Sequence, residues 1–242
     1  MTVINNALAS PAEVSTFAGL PSAVYTALGT VRDPELDEPI TTLGFVSSCT
    51  VSPEGQAQIR LRLPTYFCAP NFAFLMVADA HDAVSGLPGV QSTEVILDDH
   101  FASDTINAGV AARAGFVRSF DGEATDELDE LRATFLRKAV MAGTDLVCRP
   151  LVDAGLTPAE LTALTLGATP ASQELDRLRQ RRRDLALPAD DTSFLLLDPA
   201  TGKRIPESSV PLHLRRARLT RTGIDANTSI CSGMLKARYH PT

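Results

Sequence analysis

The clearest alternation in the chain runs from Ala57 to Leu63, where Ala57, Ile59, Leu61 and Leu63 are separated by Gln58, Arg60 and Arg62. A period of two puts the four apolar side chains on one face, so the segment predicts a strand with one buried side. Upstream, a strand from Leu43 would carry Phe45, Ser47, Cys49 and Val51 on one face, and Pro53-Glu54-Gly55 supplies the turn between the two. Val24, Leu28 and Val31 repeat at helical spacing behind Pro21, which suits a first helical turn. That helix should stop before Pro34, because a residue preceding proline avoids the α region. Pro70 opens a second helix with Phe72, Leu75, Met76, Ala80, Ala83 and Leu87 on its apolar side, and Pro88-Gly89 ends it. Val90 to Leu97 predicts a third strand. Helix, strand, strand, helix, strand in about eighty residues describes a small two-layer α-β-β-α-β unit of the α+β class.

The pattern then changes. Ser103 to Val117 is alanine-rich and predicts a helix. Thr125 is placed to cap another, with Asp126, Glu127, Asp129 and Glu130 at its positive end and Leu128, Leu131, Phe135 and Ala139 as its stripe, ending at Gly143. Thr157-Pro158-Ala159-Glu160 has the form of a capping box with proline at the first helical position. Thr169-Pro170 opens a further helix to about Leu187. Ser193 to Leu197 and Lys203 to Ile205, around Asp198-Pro199-Ala200-Thr201-Gly202, predict a small hairpin. The expected organisation is therefore a flexible N-terminal arm over 1–19, the small α+β domain over 20–100, a mainly helical C-terminal extension over 101–190, and a hairpin with a basic tail over 191–242.

Composition narrows the function classes. Hydrophobic residues make up 44% and charged residues 21% of the 242, as in ordinary globular proteins, which excludes a mainly disordered chain. No apolar run reaches the roughly 20 residues of a membrane helix, and the first thirty residues lack the pattern of a signal peptide. The expectation is a cytoplasmic protein with no membrane association. The net charge of −7 is unevenly spread. Residues 1–124 carry 14 acids and 5 bases, whereas residues 171–242 carry 8 acids and 13 bases. With no tryptophan and only 3 tyrosines, no stacking platform for nucleic acid is expected. Four cysteines without a CxxC pair argue against a disulfide scaffold and a self-contained zinc site.

Cys68 is the candidate for chemistry. It follows the patterned strand and stands two residues before a proline-started helix, where backbone N–H groups and the helix dipole favour a thiolate. Such a sulfur can be a metal ligand or a nucleophile; equally, an unpaired cysteine packs as a small hydrophobe. His81 lies 13 residues on, on the far side of the helix, so a Cys–His dyad has little support. Asp33-Pro34-Glu35, with Asp37 and Glu38, forms an acidic turn that either caps itself or offers carboxylates near Cys68. Thr65 either satisfies loop N–H groups or faces the sulfur. Cys49 and Cys148 read as packing, and Cys231 as part of a loop-like segment. Arg179, Arg181, Arg182 and Arg183 form a basic run expected to dock an acidic partner or to lie on a solvated face.

These residues carry a resemblance. Val31-Arg32-Asp33-Pro34-Glu35, Ile40, Leu43-Gly44-Phe45-Val46, the Ile59-to-Leu63 strand, Pro64-Thr65-Tyr66-Phe67-Cys68 and Gly89-Val90 resemble, in order and spacing, the iron–sulfur (metal–sulfur) cluster assembly domain of the SufT and PaaD proteins. The resemblance covers about a third of the chain, residues 21–99, and implies the same α-β-β-α-β fold. The family's reactive cysteine falls on Cys68, its loop threonine on Thr65, and its acidic motif on Asp33, Pro34 and Glu35. One departure stands out: the family has proline directly after the cysteine, whereas Ala69 intervenes here before Pro70. The Cys68 loop and the long extension also resemble the longer variants associated with bacterial multicomponent di-iron monooxygenases of the propane type.

What the resemblance implies is a maturation factor rather than an enzyme. It would assemble or deliver iron or an iron–sulfur cluster, bound transiently and not tightly, to a client metalloenzyme such as an oxygenase component. Cys68 would be the metal ligand, with Asp33 and Glu35 as oxygen ligands and Thr65 beside the cluster. One thiolate cannot fill the four positions of a cluster, so a homodimer, a client or a small thiol must complete it. Two other readings of the same residues stand beside this one: a metal-free chaperone or scaffold for a large enzyme, and a cysteine-dependent hydrolase, which requires a histidine on the Cys68 sulfur.

Overall fold

The computed structural model describes residues 11–121 and 128–239. They form an α+β protein whose three strands sit in the N-terminal part and whose C-terminal part is mainly helical. The order is α1 (Pro11–Leu28), β1 (Val46–Val51), β2 (Gln56–Arg62), α2 (Pro70–Ser85), β3 (Ser92–Asp98), α3 (Ser103–Ala111), α4 (Phe116–Ser119), α5 (Asp129–Asp153), α6 (Pro158–Ala163), α7 (Gln173–Asp184) and α8 (Val210–Tyr239).

β2 is the central strand, antiparallel to β1 and parallel to β3. A parallel pair needs a crossover, and α2 provides it. Ala57, Ile59 and Leu61 are buried as the alternation requires, and Ile59 pairs with Val95 across the parallel ladder. Val24 and Leu28 of α1 and Ala73, Val77, Ala80 and Val84 of α2 are buried with them. The β1–β2 turn depends on a glycine: Gly55 has φ +80, and a Cβ there would lie 2.3 Å from the carbonyl oxygen of Gly89.

The described residues divide into two compact units. The first holds 11–33, 38–121 and 232–239; the second holds 34–37 and 128–231. Two short pieces thus belong away from their chain neighbours. The turn beginning at Pro34 goes with the helical unit, and the last turns of α8 go with the sheet unit.

Several expectations change in the structure. α1 begins at Pro11, inside the expected arm, and Pro21 lies within it, at the loss of one backbone hydrogen bond. The expected helix from Ser103 to Val117 ends at Ala111 and a short one resumes at Phe116, with Arg113 (φ +50) and Gly115 (φ +78) left-handed between them. The Thr125 cap and Asp126 and Glu127 lie outside the described residues, while Asp129 and Glu130 do occupy the first turn of α5. α5 does not stop at Gly143. It runs on to Asp153, and a Cβ at Gly143 would meet Leu178 of α7 at 3.4 Å, an ordinary packing distance. The capping box at Thr157 is complete: Thr157 N–H donates to Glu160 Oε2 (2.7 Å), and Glu160 N–H donates to Thr157 Oγ1 (3.3 Å). Ser172, not Thr169, caps α7. The expected hairpin is reduced to the bridge between Leu197 and Arg204, and Phe194 pairs instead with Thr165. The basic tail is a 30-residue helix. Cys231 lies within it and not in a loop.

Candidate functional site

The site is the connection from β2 to α2. Leu63 and Pro64 are buried and anchor its start, and Pro70 occupies the first helical position of α2. Between them the loop projects Tyr66 and Phe67 outward and leaves Cys68 half-buried. The Thr65 hydroxyl accepts the Phe67 N–H (3.2 Å) and lies 3.4 Å from Cys68 Sγ. Either atom can donate in that contact. Both roles weighed for Thr65, loop satisfaction and contact with the sulfur, are therefore filled by one oxygen.

A second strut is a histidine that the sequence pattern did not place. His100, two residues past β3, is only 2% exposed. Its Nδ1 accepts the Ala102 N–H (3.1 Å), which leaves the proton on Nε2, donated to the Cys68 carbonyl (2.7 Å). Phe101 N–H donates to the Tyr66 carbonyl (3.1 Å). Both bonds fasten the Cys68 loop to the segment after β3. The end of α8 fastens that segment in turn. Arg238 donates to the carbonyls of Leu63 (3.2 Å) and Asp99 (2.8 Å), and the Tyr239 hydroxyl donates to Asp99 Oδ2 (3.2 Å). Asp99 has φ +53, a left-handed conformation held between these partners.

The histidine does not make a dyad. His100 meets the Cys68 carbonyl and not the sulfur, and both of its ring nitrogens are engaged by backbone. His81 stands beside Asp82. The ring acts as a brace rather than a base.

Burial, the largest influence, holds His100 below the ordinary histidine range; the bond to Cys68 opposes this, and the Arg238 charge adds to it. A depressed histidine value means that folding favours the neutral ring. Its contribution is complete above the unfolded value near 6.5 and is lost as pH falls from there through the lower folded value. Burial lowers His213 in the same direction. Urea unfolding is expected to show lower stability at about pH 5.5 than at about pH 7.5. His100→Gln should flatten part of that dependence, and His100→Ala should cost roughly 1–3 kcal/mol at neutral pH through the two bonds it leaves unmade. A pH dependence unchanged by His100→Gln would contradict the assignment.

The other predicted residues are placed elsewhere. Asp33 is buried, and its N–H donates to the Glu38 carbonyl (3.0 Å). Glu35 belongs to the helical unit, where Oε1 accepts from Asn227 Nδ2 (3.2 Å). Asp37 is paired with Arg181 Nε (2.7 Å). Among the described residues, no group of three or more His, Cys, Asp or Glu side chains is arranged to hold a metal ion. Cys68, Asp33 and Glu35 are therefore not gathered into one ligand set. The expected arginine docking run is also redistributed. Arg182 is fully buried and Arg181 nearly so, Arg179 is engaged with Asp191 (2.7 Å) and the Ala189 carbonyl (2.9 Å), and only Arg183 of the four is exposed. An amphipathic helix turns part of any charge run inward when its stripe of Leu175 and Leu178 is buried.

Comparison with known proteins agrees with this sheet unit. Residues 21–97 match the family described as iron–sulfur cluster assembly protein. An uncharacterized protein of Methanocaldococcus jannaschii is 32% identical over 84 residues, which are 35% of this chain and 86% of that protein. The chain belongs to the iron–sulfur cluster assembly protein family through this segment. An iron–sulfur cluster carrier protein of Mycobacterium leprae is 38% identical over 81 residues, and one of Mycobacterium tuberculosis is 37% identical over 79. The matched segments cover 34% and 33% of this chain but only 21% and 20% of those carriers. A crystal structure of a domain of unknown function, DUF59, from Bacillus anthracis matches 40% of this chain and 92% of that one, with 22% identity and a TM-score of 0.31. Among the described residues, no helix is long and apolar enough to cross a membrane.

Proposed function

We propose that the protein is a carrier in iron–sulfur cluster assembly, holding a cluster in transit at Cys68 and passing it to a client metalloenzyme. The observation that carries this reading is the position of Cys68: a thiol on an outward loop, braced through its own carbonyl by His100 and met at its sulfur by the Thr65 hydroxyl. Sulfur is the ligand iron–sulfur clusters take. A site that supplies one sulfur holds its cargo incompletely and so lets it leave. The family membership and the carrier names of the mycobacterial relatives support the same role. No turnover chemistry is assigned to the chain. Asp33 and Glu35 are left out as ligands, since among the described residues no group of three or more His, Cys, Asp or Glu side chains is arranged to hold a metal ion and Glu35 is held by Asn227. The helical unit would select the client, which the extension's resemblance suggests is an oxygenase component.

Anaerobic incubation of the full chain with ferrous iron, sulfide and dithiothreitol tests this. A carrier retains acid-labile sulfide and iron through desalting and transfers them to an apo-ferredoxin within minutes. Retention no higher than that of a non-binding control protein would overturn the proposal.

A further inference from the structure

Within the helical unit, α5 and the first turns of α8 leave a groove of about 270 Å³ between them. Cys148 and Val152 of α5 and Pro211 and Leu214 of α8 give it an apolar floor, and Arg149, Arg215 and Arg218 stand at its rim. Pro211, Leu214, Arg215 and Arg218 follow the i, i+3, i+4, i+7 spacing of one helix face. Val152 is 43% exposed, so the floor is open to solvent. The acids beside the groove have cations of their own. Asp145 is buried and accepts from both Arg149 and Arg221 Nε (2.6 Å), and the Asp153 charge acts on Arg149. Arg215 and Arg218 are exposed and, among the described residues, have no ion pair or side-chain hydrogen bond. Two guanidiniums are therefore left over at the edge of an apolar channel.

We propose that this groove docks an acidic amphipathic helix of a partner protein, whose apolar residues enter between Val152 and Leu214 and whose carboxylates pair with Arg215 and Arg218. Only the naming of that partner as the client rests on the carrier reading above. Charge complementarity decides the sign of the occupant: unpaired guanidiniums at a rim call for carboxylates. The shape decides its form. The groove runs along about two helical turns, roughly 11 Å, the reach of apolar anchors at i, i+3 or i+4, and i+7 on an incoming helix. An extended strand finds little there, because the backbone groups of α5 and α8 are already bonded within their helices. The volume is below the roughly 300–1,000 Å³ of small-molecule sites, which suits one or two side chains rather than a cofactor. A second copy is disfavoured, since two-fold pairing of like patches would set Arg215 and Arg218 of each copy against the same arginines. A bilayer lies over a convex apolar face and does not fill a channel between two helices. The expected docking arginines of α7 are thus replaced by two on α8, where the helix period leaves them outward.

Fluorescence anisotropy of the full chain with a labelled peptide of about 18 residues, Leu at i, i+3, i+4 and i+7 and Glu and Ala elsewhere, tests the groove. The peptide should bind, and the same peptide with Lys for Glu should bind at least tenfold more weakly. Arg215→Glu with Arg218→Glu, and separately Val152→Asp, should each weaken the acidic peptide at least tenfold; all three positions are exposed, and circular dichroism verifies the fold. Arg183→Glu, an exposed arginine of α7, should bind like wild type. No binding, equal binding of the lysine peptide, or a double variant that binds like wild type overturns the proposal. Vesicles of phosphatidylcholine and phosphatidylserine that carry the protein down when the peptide does not bind would give the surface to a membrane and overturn it. A two-chain mass by light scattering that the double variant reduces to one would give it to a second copy and overturn it as well. Iron and sulfide retention, measured on the same samples, separates this from the carrier reading. The double variant should load like wild type, since Cys68 lies in the sheet unit. A chain that binds the peptide through these arginines yet retains no cluster keeps the groove and loses the carrier role; one that loads at Cys68 but ignores the peptide keeps the carrier role and loses the groove.

Discussion

Cys68→Ala is expected to reduce iron and sulfide retained per chain at least tenfold while leaving the fold in place. The sulfur is half-buried, and its hydrogen-bonding contact is the Thr65 hydroxyl at 3.4 Å. Removing it deletes a ligand but little packing, so stability should change by less than about 1 kcal/mol. His100 still braces the backbone, because its bond goes to the Cys68 carbonyl. The other cysteines behave differently. Cys148 is 1% exposed within the core of Val140, Val147, Leu161 and Leu178. Burial, with Asp145 adding to it, pushes its thiol up to about 12. It stays protonated at neutral pH and is closed to a metal, so Cys148→Ala should lower stability by roughly 1–2 kcal/mol through the cavity it leaves without reducing loading. Cys49→Ala and Cys231→Ala should load like wild type. Thr65→Val gives the intermediate case: loading persists, and the cluster is lost several-fold faster in air. Equal loading in wild type and Cys68→Ala, measured as iron and sulfide per chain, would remove the site.

The part of the fold that could be read from sequence is the part with a strict period. β2 alternates without exception from Ala57 to Leu63, and α2 starts at a proline, so the loop between them, and Cys68 in it, followed; the apolar side of α2 was only partly legible, since Ala73 to Val77 are all buried while Phe72 and Ala83 are not and Leu87 lies past its end. His100 was not foreseen as part of the site because its role depends on tertiary contact. It acts through a backbone carbonyl 32 positions earlier, and no spacing rule encodes that. α8 was illegible for a different reason. Leu212, Leu219, Ile230 and Met234 are exposed along it, and its apolar residues mark no single buried stripe. The acidic turn shows how position in sequence misleads. Asp33 and Glu35 are two residues apart, yet they belong to different compact units, because Asn227 and Arg181 engage Glu35 and Asp37. A charge run likewise says nothing about which members point inward, and in α7 the helix period turned two of four toward the core.

The inward arginine gives the largest stability effect expected. Arg182→Ala should lower the unfolding free energy of the helical unit by roughly 3–5 kcal/mol through the cavity and the unmet acceptors it leaves, read as a shift in the urea midpoint. Arg182 is 0% exposed, and its partners are carbonyls rather than carboxylates: Nη1 donates to Phe194 (2.9 Å), Nη2 donates to Leu195, and Nη1 reaches Pro188 at 3.5 Å. The guanidinium thus bridges α7 to the irregular segment from Pro188 to Leu195, which has no helix or sheet ladder of its own to occupy those oxygens. Alanine would leave buried acceptors without donors and a void the size of the lost side chain, and both effects destabilise. Arg182→Lys keeps the charge but not the fork, so it should recover part of the loss. Burial lowers the guanidinium to about 10. For a cation depressed on folding, stability rises only between that value and the unfolded one, near 12.5, so the contribution is constant from neutral pH to about pH 9. A midpoint shift that changed across that range would mean the charge is not where these bonds place it. A shift below about 1 kcal/mol would mean the carbonyls find other donors. If only the sheet unit loads the cluster, Arg182→Ala should unfold the helical unit first and leave iron and sulfide retention at Cys68 intact.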